Sequence, residues 1–257
     1  PHIEEPPMKR AAPAALAVLS AVCLASLTAC GGDSGSEADS AGEPAATASE
    51  QPREKQQSPE DRLKQMVITE ADVSGMNVSD ADVVSSDNSE FAFAKSPQEV
   101  TVEKPVCAPL AYAMNQLPLG EPQADVTRSL SSSPSEPFTY VMLTAYEPGK
   151  AASALAGLSE AVDACTGGFT AKANGNTSAY DSVTAEQPVA EAGDQSLAFR
   201  STLSFRGATH TVHGQAVRSG DVVAVYFSVD GLAIANVRPS DAKLPAAVVK
   251  AQNAKLG

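Results

Sequence analysis

The chain has 257 residues, no tryptophan and 5% aromatic residues, and its 18 Lys+Arg against 31 Asp+Glu leave a formal charge of −13. That balance excludes a nucleic-acid binder, which needs a basic face to displace counterions from phosphates, and a polybasic membrane-surface protein. A hydrophobic content of 43% is that of a globular protein and excludes a chain disordered throughout.

In chain order, the first element is an address. Met8-Lys9-Arg10 opens a basic segment, and residues 11–29 then run without a charge. Basic flank, apolar run and small-residue exit are the parts of a secretory signal peptide, here residues 8–29. Residues 1–7 precede Met8, the first candidate initiator, and are read as an upstream extension outside the fold. The exit, Leu27-Thr28-Ala29-Cys30 followed by Gly31-Gly32, resembles a bacterial lipobox. The resemblance implies that the Cys30 thiol is alkylated with diacylglycerol and becomes the new N-terminus, a palmitate-type anchor on the extracytoplasmic face of the cell membrane. Two or three acyl chains anchor stably where one holds only marginally. The alternative is an ordinary secretory signal with a chance cysteine.

Residues 30–58 form the next segment. From Gly31 to Ser58 there is no aromatic residue and no Val, Ile or Leu. Such a stretch cannot bury enough apolar area to offset its ordering entropy, so a disordered tether is expected. As a flexible chain it spans about 30 Å. Gly32-Asp33-Ser34-Gly35 matches the residues around a trypsin-like nucleophile, but it lies beside the anchor with no triad around it. All aromatic residues lie at or beyond Phe91, so residues 59–257 are expected to be a single α+β domain.

Within it, 59–69 is expected to be a short helix with Leu63, Met66 and Val67 inward, and 90–94 a short strand. Residues 106–117 repeat a helical pattern through Val106, Leu110, Met114 and Leu117, with Pro109 tolerable only in the first turn. Ser131 to Pro137 is a loop signal. Residues 138–146 are apolar on both faces and read as a central strand. Residues 150–165 carry the clearest helix, with Ala151, Leu155, Leu158, Val162 and Cys165 on one stripe. Strands are expected at 169–173, 178–185, 197–205, 209–217 and 221–230. The last three form an antiparallel meander turned at Arg206-Gly207 and Ser219-Gly220. Residues 241–256 close the chain as a helix with Leu244, Val248 and Ala251 on one side. The expected architecture is a twisted antiparallel sheet with about three helices packed on one face and one disulfide.

Cys23 falls in the signal and Cys30 at the lipid site, which leaves Cys107 and Cys165. In an exported chain a lone pair is expected to be bonded. Closing so long a loop contributes about 4 kcal/mol in the chain-entropy picture. The alternative is two buried free thiols.

Signals for chemistry are sparse. His210 and His213 are three apart on an expected strand, so they point to opposite faces and cannot share a metal; both are expected to be partly exposed. There is no HExxH, CxxC, Gly-rich phosphate loop or nucleophile elbow. Asp80, Asp82 and Asp87 lack the calcium-loop framework. They, and Asp181, Glu186, Glu191 and Asp194, are read as solvated acidic loops. No catalytic residue, cofactor or metal is expected.

Three segments carry a family resemblance: Val106 to Leu110, Ala164-Cys165-Thr166-Gly167-Gly168-Phe169, and Leu244 through Leu256. They resemble actinobacterial lipoproteins of the sensor-domain type, similar to the extracellular sensor domain of a mycobacterial Ser/Thr protein kinase. The resemblance implies an α+β domain with an antiparallel sheet, flanking helices and a cleft for a small ligand. The kinase sensor is implied to hold two disulfides, and this chain can form only one.

The expected function is a lipid-anchored extracytoplasmic binding or sensing module, monomeric and non-enzymatic. Its partners would be the membrane, through the anchor, and a small-molecule or cell-envelope ligand. The alternatives are a lipid or glycolipid carrier, which needs a dry lumen, and a cell-wall hydrolase, which needs an acid pair or an activated nucleophile.

Overall fold

A computed structural model describes residues 57–81 and 94–257, all within one compact unit, Arg53–Gly257. The signal segment, Cys30 and most of the tether lie outside the described residues, as do Asp82, Asp87 and nearly all of the expected strand at 90–94. The helices are α1 (Pro59–Met66), α2 (Ala108–Ala113), α3 (Lys150–Ala164), α4 (Gly231–Ala235) and α5 (Ala246–Leu256). The first five strands are β1 (Asn77–Asp80), β2 (Thr101–Val102), β3 (Ala124–Ser131), β4 (Phe138–Ala145) and β5 (Phe169–Ala173). The rest are β6 (Asn176–Glu186), β7 (Gln195–Phe205), β8 (Ala208–Ser219), β9 (Val222–Val229) and β10 (Ser240–Ala242).

The class is α+β. Nine strands run in the order β1-β3-β4-β9-β8-β7-β6-β5-β2, every neighbouring pair antiparallel, and β10 joins β8 in parallel. The β7-β8-β9 meander forms as its turn residues predict. Arg206 and Gly207 both take positive φ, 48° and 86°, the backbone of a two-residue hairpin turn whose twist matches the strands.

Helices cover both faces of the sheet, not one. The strand sequences explain why. β9 buries Val223, Val225 and Phe227 on one face and Val222, Ala224 and Tyr226 on the other. β4 likewise buries Met142 on one face and Val141 and Leu143 on the other. A strand apolar at both parities needs cover on both sides. On the first face α2 and α3 pack over Phe199, Val212 and Ala216; on the second, α1 and α5 pack over Leu130, Val217 and Tyr226. Helix α3 also carries the chain from β4 across the sheet to β5, and its Ala151, Leu155, Leu158 and Val162 are buried as the stripe predicts.

The Cys107–Cys165 disulfide is formed, with Cα atoms 6.0 Å apart, and pins the turn before α2 to the end of α3. The segment at 106–117 is not one helix. A 3₁₀ turn at Pro105–Cys107 leads into α2, Val106 is 38% exposed, and Gln116 at φ 56° lies beyond the helix end. In α5 the inward residues are Val248, Val249, Gln252, Asn253 and Leu256, while Ala251 is only partly buried. The expected stripe is therefore displaced by two polar residues facing inward.

Candidate functional site

Among the described residues, the second-face core under α1 and α5 includes no residue of β6 or β7. Pairing places Glu186 beside Ala198 and Arg200 beside His213, so β6, β7 and β8 present one row of polar side chains. β10 lies along β8 with Asp241 opposite Thr211, on the same side. The strand β10 thus brings Asp241, and Lys243 just beyond it, to the imidazole of His213.

His213 is 5% exposed, and its two nitrogens are held by different elements. Nδ1 lies 2.7 Å from Glu186 Oε2 at the end of β6. Nε2 lies 2.6 Å from Asp241 Oδ1 and 2.9 Å from Lys243 Nζ. Lys243 Nζ also donates to Asp241 Oδ2 at 3.0 Å, and Arg200 Nε stands 3.8 Å from Glu186 Oε1. Hydrogen bonding from His213, and then from Lys243, holds the Asp241 carboxyl below its ordinary range.

These groups border a cleft of about 360 Å³ lined by Glu186, Gln187, Val189, Ala198, His213, Gly214, Lys243 and Leu244. That volume lies within the ordinary range for small-molecule sites. One wall is the 187–194 loop, which Gln215 ties to the sheet. Its fully buried side chain accepts from Val189 N–H at 2.8 Å and donates to Ala190 C=O at 2.7 Å. Asn253 of α5 donates to the same carbonyl at 3.2 Å and accepts from Tyr226 Oη at 2.7 Å. The loop ends where Asp194 accepts from Arg218 at 2.7 Å and Gly220 N–H at 2.9 Å.

The carboxylates meet His213 at opposite ring nitrogens, so they do not converge on one cation, and no group of three candidate metal ligands occurs among the described residues. The ring faces two carboxylates and an ammonium rather than a hydroxyl or thiol that it could activate.

Several expectations change. His210 and His213 do lie on opposite faces, but both are buried, not partly exposed. His210 shares a hydrogen bond at 2.9 Å with Ser240 Oγ, and burial pushes its imidazole below the ordinary value. Glu186 and Asp194 are not free solvated carboxylates, since His213 and Arg218 hold them, and Asp181 accepts from Ser204 at 2.7 Å. Asp80 pairs with Arg128 across β1 and β3. The sequence reading missed Asp241, Lys243 and Gln215. Their only local signal was the Asp-Ala-Lys spacing, which on a strand puts both charges on one face.

No protein-family model matches this chain, and no curated protein does. Among solved structures it is similar to the extracellular domain of PknH from Mycobacterium tuberculosis. The TM-score is 0.48 and the identity 12%, over 77% of this chain and 93% of that one. No helix among the described residues is long and apolar enough to cross a membrane.

Proposed function

We propose that the chain is a lipid-anchored extracytoplasmic module that binds or senses a small ligand and carries out no reaction. The observation that carries this reading is the cleft at His213, whose charged groups are paired with one another and stand beside no hydroxyl or thiol among the described residues that line it. Two features support the location. The Cys107–Cys165 bond suits an oxidising compartment, and Leu27 to Cys30 has the form of a lipidation site after a signal peptide. The carrier reading has less support, because residues on both faces of the sheet pack into closed cores under the helices.

Fractionation of cells expressing the chain and its Cys30→Ala variant tests the anchor. The wild type is expected in the membrane fraction and the variant in the soluble extracytoplasmic fraction. A variant that stays membrane-bound removes the lipid anchor from the reading. Hydrolysis of cell-wall glycan by the purified chain would remove the non-enzymatic part.

A further inference from the structure

One hydrogen-bonding slot in the cleft has two claimants. His213 Nε2 lies 2.6 Å from Asp241 Oδ1 and 2.9 Å from Lys243 Nζ. A ring nitrogen either carries a proton and donates, or carries a lone pair and accepts. With neutral His213, Nδ1–H donates to Glu186 and Nε2 accepts from Lys243. With doubly protonated His213, Nδ1–H still serves Glu186, but Nε2–H serves Asp241 and Lys243 loses its acceptor on the ring. Two like charges then stand side by side. Lys243 is 64% exposed and keeps Asp241 Oδ2 at 3.0 Å, so it can turn outward on that oxygen.

The charges facing His213 from each neighbouring element are Glu186 on β6, Arg200 on β7, and Asp241 and Lys243 on and after β10. On the β9 side its register partner is Ser228, which is uncharged and hydrogen-bonded to Thr139. With neutral His213 these two carboxylates and two cations balance. Protonation leaves one net positive charge in the cleft and an ammonium released at its mouth. Val189, Ala198 and Leu244 supply an apolar wall beside that ammonium, and Gln187 an amide.

We infer that this cleft is an acid-gated site for a small aliphatic carboxylate: protonation of His213 turns Lys243 outward to receive the anion. The inference rests on the binding-module reading above and adds to it the ligand class and the gate. The window tested is pH 5.5 to 8. N-acetylvaline is a suitable probe, because an α-carboxyl group stays ionised throughout that window. Its amide and isopropyl group match Gln187 and the apolar wall.

The test is a titration of the detergent-solubilised full chain with N-acetylvaline at pH 5.5 and pH 8, followed by NMR or calorimetry. N-acetylvaline amide is the uncharged control. Binding is expected to be at least tenfold tighter at pH 5.5, absent for the amide, and at least tenfold weaker at pH 5.5 in Lys243→Gln. In His213→Gln, which cannot take up the proton, the pH dependence is expected to vanish. The exposure of Lys243 makes its variant safe for folding, and the wild-type comparison stands without either variant. Equal wild-type affinity at the two pH values overturns the gate and leaves the binding-module reading intact. Wild-type affinity unchanged by Lys243→Gln, or no binding of N-acetylvaline at either pH, overturns the carboxylate assignment. Chemical turnover of a ligand at this cleft would instead overturn the binding-module reading itself.

Discussion

Phe199 on β7 lies against Gly214, its register partner on β8. A Cβ at Gly214 would stand 2.5 Å from the ring Cζ, and the ring is fully buried. Gly214→Ala is therefore expected to lower stability by about 1–3 kcal/mol through overpacking. Urea denaturation of the variant reads this directly, and an unchanged midpoint would mean that the ring yields. One residue along, His213 faces the cleft, so the glycine also sets the floor on which the imidazole stands. Asp241 carries a pH dependence whose cause lies in the cleft. Its folded-state carboxyl is held low by His213 and then Lys243. A depressed carboxyl stabilises the fold above the unfolded value near 3.9 and loses that contribution as pH falls through the folded value. Asp241→Asn is expected to flatten the drop in melting temperature below about pH 4. Because Asp241 is 56% exposed, solvent screens the effect to a small one. Equal acid-induced drops in variant and wild type would show that other carboxylates govern acid stability.

Helix α5 is held by buried Val248, Val249 and Leu256 and, beside them, by two amides. Fully buried Gln252 accepts from Ile68 N–H at 2.8 Å and donates to Met66 C=O at 2.9 Å, closing the end of α1 onto α5. Asn253 does the same for Tyr226 and the cleft-wall loop. Gln252 satisfies two backbone groups at the end of α1, and Asn253 satisfies the Ala190 carbonyl and the buried Tyr226 hydroxyl, polar groups that cost most if left alone. Gln252→Leu keeps the volume but orphans both backbone partners, and is expected to cost about 1–3 kcal/mol. Hydrogen exchange should find the Ile68 amide deprotected while amides of β8 and β9 hold. Uniform loss of protection instead would mean that α1 and α5 unfold only with the whole sheet. The expected inward residue Ala251 missed this because apolar periodicity cannot register an inward glutamine or asparagine.

Across the molecule, α3 and the disulfide act together. The bond joins residues 58 apart and ties the crossover helix to α2. Constraint of the unfolded chain accounts for about 4 kcal/mol of stability in the chain-entropy picture. Reductant is expected to lower the urea midpoint by a corresponding amount, with thiol labelling seen only when reductant and denaturant are both present, since both cysteines are fully buried. Labelling at Cys107 or Cys165 in the untreated, denatured chain, located by peptide mapping, would show that the bond is not formed. The cleft lies on the opposite face of the sheet from this bond, so reduction weakens the scaffold without touching the cluster around His213.

Local order was legible wherever one physical signal was strong. The stripe of α3, the alternation of β7 and the Gly turns of the β7-β8-β9 meander each follow from backbone geometry acting over a few residues. β3 was missed because Val126 and Leu130 are its only large apolar residues, and β10 because three residues carry no period. Composition, period and spacing alone give the class of the domain and its cysteine pair, and the lipid anchor at Cys30 is proposed from them. Only the tertiary structure decided that helices cover both faces, because a strand apolar on both sides does not say which helix comes to which side. It alone assembled the cleft. Glu186, Asp241 and Lys243 lie 27, 28 and 30 residues from His213, and in a chain with 31 acidic side chains no single carboxylate stands out until strand pairing brings it to the ring.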